Sequence, residues 1–105
     1  MEIVETSVFT KQVRGLLPDD EYRKLQAVLA RRPKIGKVIR GSGGIRKTRW
    51  ALPGGGRRGG VRVIYYWAAS RDTLLMLLMY SKGGQDELSH VQLKTLRSIV
   101  EEEYS

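Results

Sequence analysis

The run Thr73–Tyr80 reads TLLMLLMY, with apolar side chains at every position from Leu74 to Met79. Successive side chains of a strand point to opposite faces. A strand with one wet face therefore alternates apolar with polar residues. This one does not alternate, so both of its faces need cover. It is also far short of the roughly 20 apolar residues of a membrane-spanning helix. The run predicts a central strand with a structural layer on each side.

The rest of the chain supplies those layers. Ile3–Phe9 contains Val and Thr in imperfect alternation and predicts a first strand. Thr10–Leu17 follows as a short helix. LPDDEY marks a helix entrance, because Asp19, Asp20 and Glu21 in a first turn complement the N-terminal dipole. Tyr22, Leu25, Val28 and Leu29 continue it as one apolar stripe, and Pro33 stops it. Lys34–Gly44 reads as a glycine-rich loop. Ile45–Leu52 and Val61–Ala69 read as the second and third strands, and Ser70–Asp72 as a tight turn into the fourth. Ser89–Gln92 fits a capping box, after which Leu93, Leu96, Ile99 and Val100 line a final helix. The order β-α-α-β-β-β-α predicts an α+β fold, a twisted, mainly antiparallel sheet covered by helices.

At 105 residues the chain predicts one domain, 1–105. It has no cysteine, which removes disulfides, thiolate metal sites and a cysteine nucleophile. The N-terminal MEIVETSVF lacks a basic segment leading into an apolar one, so a cytoplasmic location is expected.

Charge is unevenly spread. The net charge is +8. From Arg31 to Arg62 there are eleven of the nineteen basic residues and no acid at all. A one-signed third of the chain, laid on the strands, predicts a polyanionic partner. On the second strand Lys47 and Arg49 are two apart and share a face. Arg62 opens the third strand, and Tyr80 and Lys82 end the fourth. An antiparallel meander brings these positions together as a cationic bowl edged by phenols. His90 is the only histidine, which excludes a two-histidine ribonuclease pair, and its place in a helix first turn suits a structural role. Metal nucleases need clustered carboxylates. The acids here lie at helix ends and termini, so no metal site and no cofactor are expected.

Three stretches together, VIRGSGGIRKTRWA, GGVRVIYYW and LLMYSKGGQDELS, resemble the RelE/HigB superfamily of bacterial toxins, closest to its HigB-like branch. The resemblance covers nearly the whole chain and agrees with the expected element order. It implies a RelE-like microbial RNase sandwich. It also implies the toxin of a type II toxin–antitoxin system, an mRNA endonuclease acting in the ribosomal A site without a metal. The implied partners are the ribosome, mRNA and a cognate antitoxin of helix-turn-helix type, with operator DNA reached only through the antitoxin. The implied chemistry is attack of a ribose 2′-hydroxyl on the adjacent phosphorus. Lys47, Arg49, Arg62 and Lys82 match the catalytic positions. Arg62 is the first choice for stabilising the transition state and Arg49 the second. A like charge disfavours the charged form of an amine, so Lys47 and Lys82 both stand as acid or base. Arg40, Arg46, Arg57, Arg58, Tyr66 and Tyr80 are the RNA-binding candidates. Some relatives carry a tyrosine in the last segment, where this chain has Ser89.

Two other readings stand beside this one: a catalytically silent module that binds RNA or antitoxin, and a DNA-binding protein. The second lacks a basic recognition helix. The loop PGGGRRGG is not a phosphate-binding P-loop, because no Gly-Lys-Ser/Thr leads into a helix. It reads instead as a connection carrying Arg57 and Arg58, with the chemistry on its flanks.

Overall fold

The computed structural model describes residues 1–52, 60–81 and 87–104. Its elements are β1 (Glu2–Glu5), α1 (Ser7–Leu16), α2 (Asp19–Arg31), β2 (Lys37–Val38), β3 (Ile45–Ala51), β4 (Gly60–Ala68), β5 (Thr73–Ser81) and α3 (His90–Tyr104). The five strands form one sheet in the order β1-β5-β4-β3-β2. β1 runs parallel to β5, and the other pairs are antiparallel. The α+β class and the mainly antiparallel sheet agree with the sequence reading.

The apolar run behaves as its pattern requires. β5 lies between β1 and β4, and Leu74–Leu77 are each buried to within a few per cent. Leu74, Met76 and Met79 join a core with Phe9, Val13, Leu25 and Leu29 from α1 and α2. Leu75, Leu77 and Tyr80 join a second core with Leu96 and Val100 of α3. The sheet is thus a middle layer, with α1 and α2 on one face and α3 on the other. β4 alternates in step: Val61, Val63 and Tyr65 face the first core, and Ile64 faces the second.

Two elements differ from expectation. The first strand ends at Glu5, and Val8 and Phe9 belong to α1. The cause is local. Thr6 is the N-cap of α1, its hydroxyl accepting from the Phe9 amide at 3.0 Å and donating to the Leu77 carbonyl at 2.9 Å. A hydroxyl in that position satisfies one orphan amide of the helix start. It also lets Phe9 swing fully into the first core. The Lys34–Gly44 segment, expected as loop, contains the two-residue strand β2. Elsewhere the reading agrees. Asp19, Asp20 and Glu21 fill the first turn of α2. The Ser89 hydroxyl accepts from the Gln92 amide while the Gln92 side chain accepts from the Ser89 amide, the reciprocal pair of a capping box.

Candidate nucleic-acid interface

β3 and β4 bring the cations together. Their register sets Arg49 opposite Arg62 and Lys47 opposite Ile64. The next pairings set Lys37 of β2 opposite Lys47 and Tyr80 of β5 opposite Arg62. Residues two apart share a face, so Lys47, Arg49 and Arg62 lie on the face that also carries Ile45 and Ile64 of the second core. Past the cover of α3, this face opens into a cleft of about 480 Å³, lined by Ile35, Lys37, Lys47, Thr48, Arg49 and Arg62.

Four cations line that cleft, and none of them makes an ion pair among the described residues. Lys37 and Arg49 are exposed, and Lys47 and Arg62 are half-buried. Arg62 is the most telling. Its Nη1 is buried and has no hydrogen-bond partner among the described residues. A buried cationic donor without an acceptor costs free energy of the order of 1–3 kcal/mol or more. Removing that cost requires an acceptor brought to the guanidinium. The charge and the orphaned donor both select for an anion, and the open strand-lined shape suits an extended polyanion such as a single-stranded nucleic acid.

The other predicted residues fall in different places. Arg46, one residue from Lys47, points to the opposite face. Its Nη1 donates to the carbonyls of Gly36 (2.8 Å) and Lys34 (3.2 Å). It therefore straps down the segment that leads into β2. Tyr80 is 8% exposed and packs within the second core. Tyr66 packs beside that core, its ring centroid 5.9 Å from that of Tyr104. Tyr80 is thus buried, while Tyr66 is half-buried, as Lys47 and Arg62 are. Arg40 is exposed in the turn joining β2 to β3, away from the cleft lining. That turn is held by Ser42, whose hydroxyl accepts from the Ile45 amide. Lys82, Arg57 and Arg58 lie outside the described residues. His90 is an exposed first residue of α3, and Ser89 is occupied in its cap. Among the described residues no three His, Asp or Glu side chains converge as a metal site would require.

Lys37 is the cleft cation that sequence reasoning missed. Two residues of strand carry no detectable periodicity, and its only signal is membership of the basic run.

No protein-family model matches the chain. Solved structures of the E. coli RelE toxin are among those that share its fold. The free E. coli toxin RelE carrying two arginine-to-alanine substitutions matches with a TM-score of 0.61 at 13% identity, over 93% of this chain and 94% of that one. The isolated E. coli RelE toxin matches with a TM-score of 0.57 at 17% identity, over 93% and 97%. The intact E. coli RelBE toxin–antitoxin complex matches with a TM-score of 0.57 at 18% identity, over 74% and 92%. With α1 and α2 on one face of a five-stranded sheet and α3 on the other, the chain has the fold of the RelE toxin.

Proposed function

We propose that this protein is the toxin of a type II toxin–antitoxin pair, of the HigB-like branch, and that it cleaves mRNA on the ribosome without a metal. The single observation that carries the proposal is the cleft in which Lys47, Arg49 and Arg62 converge, with a buried Arg62 donor that has no acceptor among the described residues. The RelE fold and the sequence resemblance support the same reading.

In the proposed reaction the 2′-oxygen of one ribose bonds to the phosphorus of its own 3′-phosphodiester. The bond from phosphorus to the 5′-oxygen of the next nucleotide breaks. The 2′-hydroxyl proton passes to a lysine amine, and the leaving 5′-oxygen takes up a proton. The products are a 2′,3′-cyclic phosphate and a 5′-hydroxyl. Charge builds on the non-bridging oxygens in the transition state. A fixed guanidinium at Arg62, seconded by Arg49, stabilises that charge more than it stabilises the ground state. Lys47, two residues from Arg49 on the same face of β3, is the proposed participant in the proton transfers, with Lys82 as the other. Docking on the ribosome would hold the mRNA strand extended across the cleft and supply the orientation that a small open site lacks. A cognate antitoxin, proposed to be of helix-turn-helix type, would keep the protein silent.

The test is induction in cells with cleavage mapped on translated mRNA. Wild-type protein should arrest growth and leave 5′-hydroxyl ends. Arg62→Ala should abolish both, by a factor of about 10²–10³ in cleavage rate, while still accumulating and still binding antitoxin. Wild-type protein that neither arrests growth nor cuts translated mRNA would overturn the enzyme reading in favour of a silent binding module.

A further inference from the structure

The segment between α2 and β2 is short, exposed and without regular structure, yet it is bolted to the sheet from beneath. Tyr65 of β4 is completely buried. Its hydroxyl donates to the Pro33 carbonyl at 2.7 Å and accepts from the Gly36 amide at 2.9 Å. Burial pushes this phenol's pKa up, so it remains a donor. Arg46 adds its two bonds to the Lys34 and Gly36 carbonyls. Gly36 fits because it lacks a Cβ: an added one would sit 2.9 Å from the Tyr65 ring edge and hydroxyl. Four hydrogen bonds thus fix the backbone up to the residue before Lys37.

That arrangement has one evident beneficiary. β2 has two residues, too few to hold a side chain by ladder bonds alone. The strap nonetheless delivers Lys37 to the cleft wall, opposite Lys47 and on the same wall as Arg49 and Arg62. The four cations span from the edge strand β2 to β4. Neighbouring strands are about 4.8 Å apart, so the step from β4 to β2 is about 10 Å, which long Lys and Arg side chains can close onto adjacent phosphates.

Resting on the proposed RNA-cleaving role of the cleft, we propose that Lys37 is a further RNA-binding residue, holding the phosphate next to the one attacked. Tyr65 and Arg46 are its positioning residues. Lys37 sits at the exposed rim, two strands from Arg62, so it contributes to holding the strand in register and not to the bond-breaking step.

Two measurements on the full chain test this. The first is cleavage on programmed ribosomes. Lys37→Ala should raise KM about tenfold, the size of one lost charged hydrogen bond, and leave kcat unchanged. Lys37→Arg should restore KM. Tyr65→Phe keeps the buried ring and removes both hydroxyl bonds. It should raise KM in the same direction, and the double variant should be no worse than Lys37→Ala. A fall in kcat with KM unmoved, or additive losses in the double variant, would overturn the assignment. The second measurement is binding of the protein alone to a short single-stranded RNA across a salt series. Lys37→Ala should lower the slope of log affinity against log salt by about 0.7. An unchanged slope and affinity would sink the proposal even if the protein cleaves. A wild-type protein that binds but never cleaves would defeat the nuclease reading and leave the binding series to decide the role of Lys37.

Discussion

Glu5 shows how one side chain fixes several others before any function is considered. Its carboxylate accepts from the Thr10 hydroxyl and from the Tyr22 hydroxyl, both at 2.6 Å. It thereby ties the end of β1 to α1 and α2. The Tyr22 pKa is raised well above the usual phenol range. Burial is the largest cause, followed by the hydrogen bond to Glu5 and the charge of that carboxylate. The folded state thus favours the protonated phenol. The stabilisation is fully present below the unfolded tyrosine pKa of about 10 and is lost as pH rises beyond it toward the folded value. Wild-type protein should therefore lose stability steeply above that pH. Tyr22→Phe should be less stable at neutral pH, by about 1 kcal/mol for one net hydrogen bond, and should show a shallower alkaline decline. Urea midpoints measured across the alkaline range check both features. A parallel decline in the two proteins would mean the Tyr22–Glu5 contact is not formed. The sequence placed Tyr22 on an apolar stripe, and its ring does pack against Phe9. Its hydroxyl partner lies 17 residues away on another element, and no local pattern encodes that pairing.

Elements with a long single-valued pattern were readable, and those decided by one contact were not. β5 announces its central position because six apolar side chains in a row have no solvated alternative. α3 announces its start because Ser89 and Gln92 stand at the capping-box spacing. α1 conceals its start because Val8 and Phe9 suit a strand equally well. The choice falls to the Thr6 hydroxyl, which bridges the helix amide of Phe9 and the strand carbonyl of Leu77. The backbone amide of Thr6 also donates to the Met76 carbonyl at 3.0 Å and so closes the parallel ladder of β1 on β5. Thr6→Ala should cost about 1–2 kcal/mol, the usual loss for a removed N-cap. Thr6→Ser retains the hydroxyl and should recover most of that loss. Chemical denaturation of the three proteins distinguishes a cap from a mere methyl contact, since serine lacks the methyl. The same reasoning explains the candidate site. Lys47, Arg49 and Arg62 were readable because they lie on long strands whose alternation sets their facing. The same alternation sets Arg46 on the opposite face. The place of Lys37 was not readable, because it reaches the cleft through the contacts of Tyr65 and Arg46 with the 33–36 backbone, and those depend on the assembled sheet.

The two cores are joined through the same strand. Leu74 and Met76 enter the layer under α1 and α2, while Leu75 and Leu77 enter the layer under α3. Neither layer can be stripped away without wetting a strand whose other face the remaining layer still needs. Removing a single buried Leu or Met from either side costs about 2–5 kcal/mol, against a total stability of the order of 5–15 kcal/mol. The layers therefore have little room to unfold separately. Both tryptophans report on one side only: Trp50 and Trp67 pack against the α1–α2 core, and the Trp50 indole donates to the buried Glu21 carboxylate at 3.1 Å. Far-UV circular dichroism reports on all three helices, α3 included. If β5 couples the layers, tryptophan fluorescence and circular dichroism should follow one denaturation curve with one midpoint. A dichroism change that precedes the fluorescence change would mean that α3 detaches while the other layer stays folded. The sheet face beside the cationic cleft would then open independently of the rest. Coincident curves would mean that the cleft geometry of Lys47, Arg49 and Arg62 persists as long as the protein is folded at all.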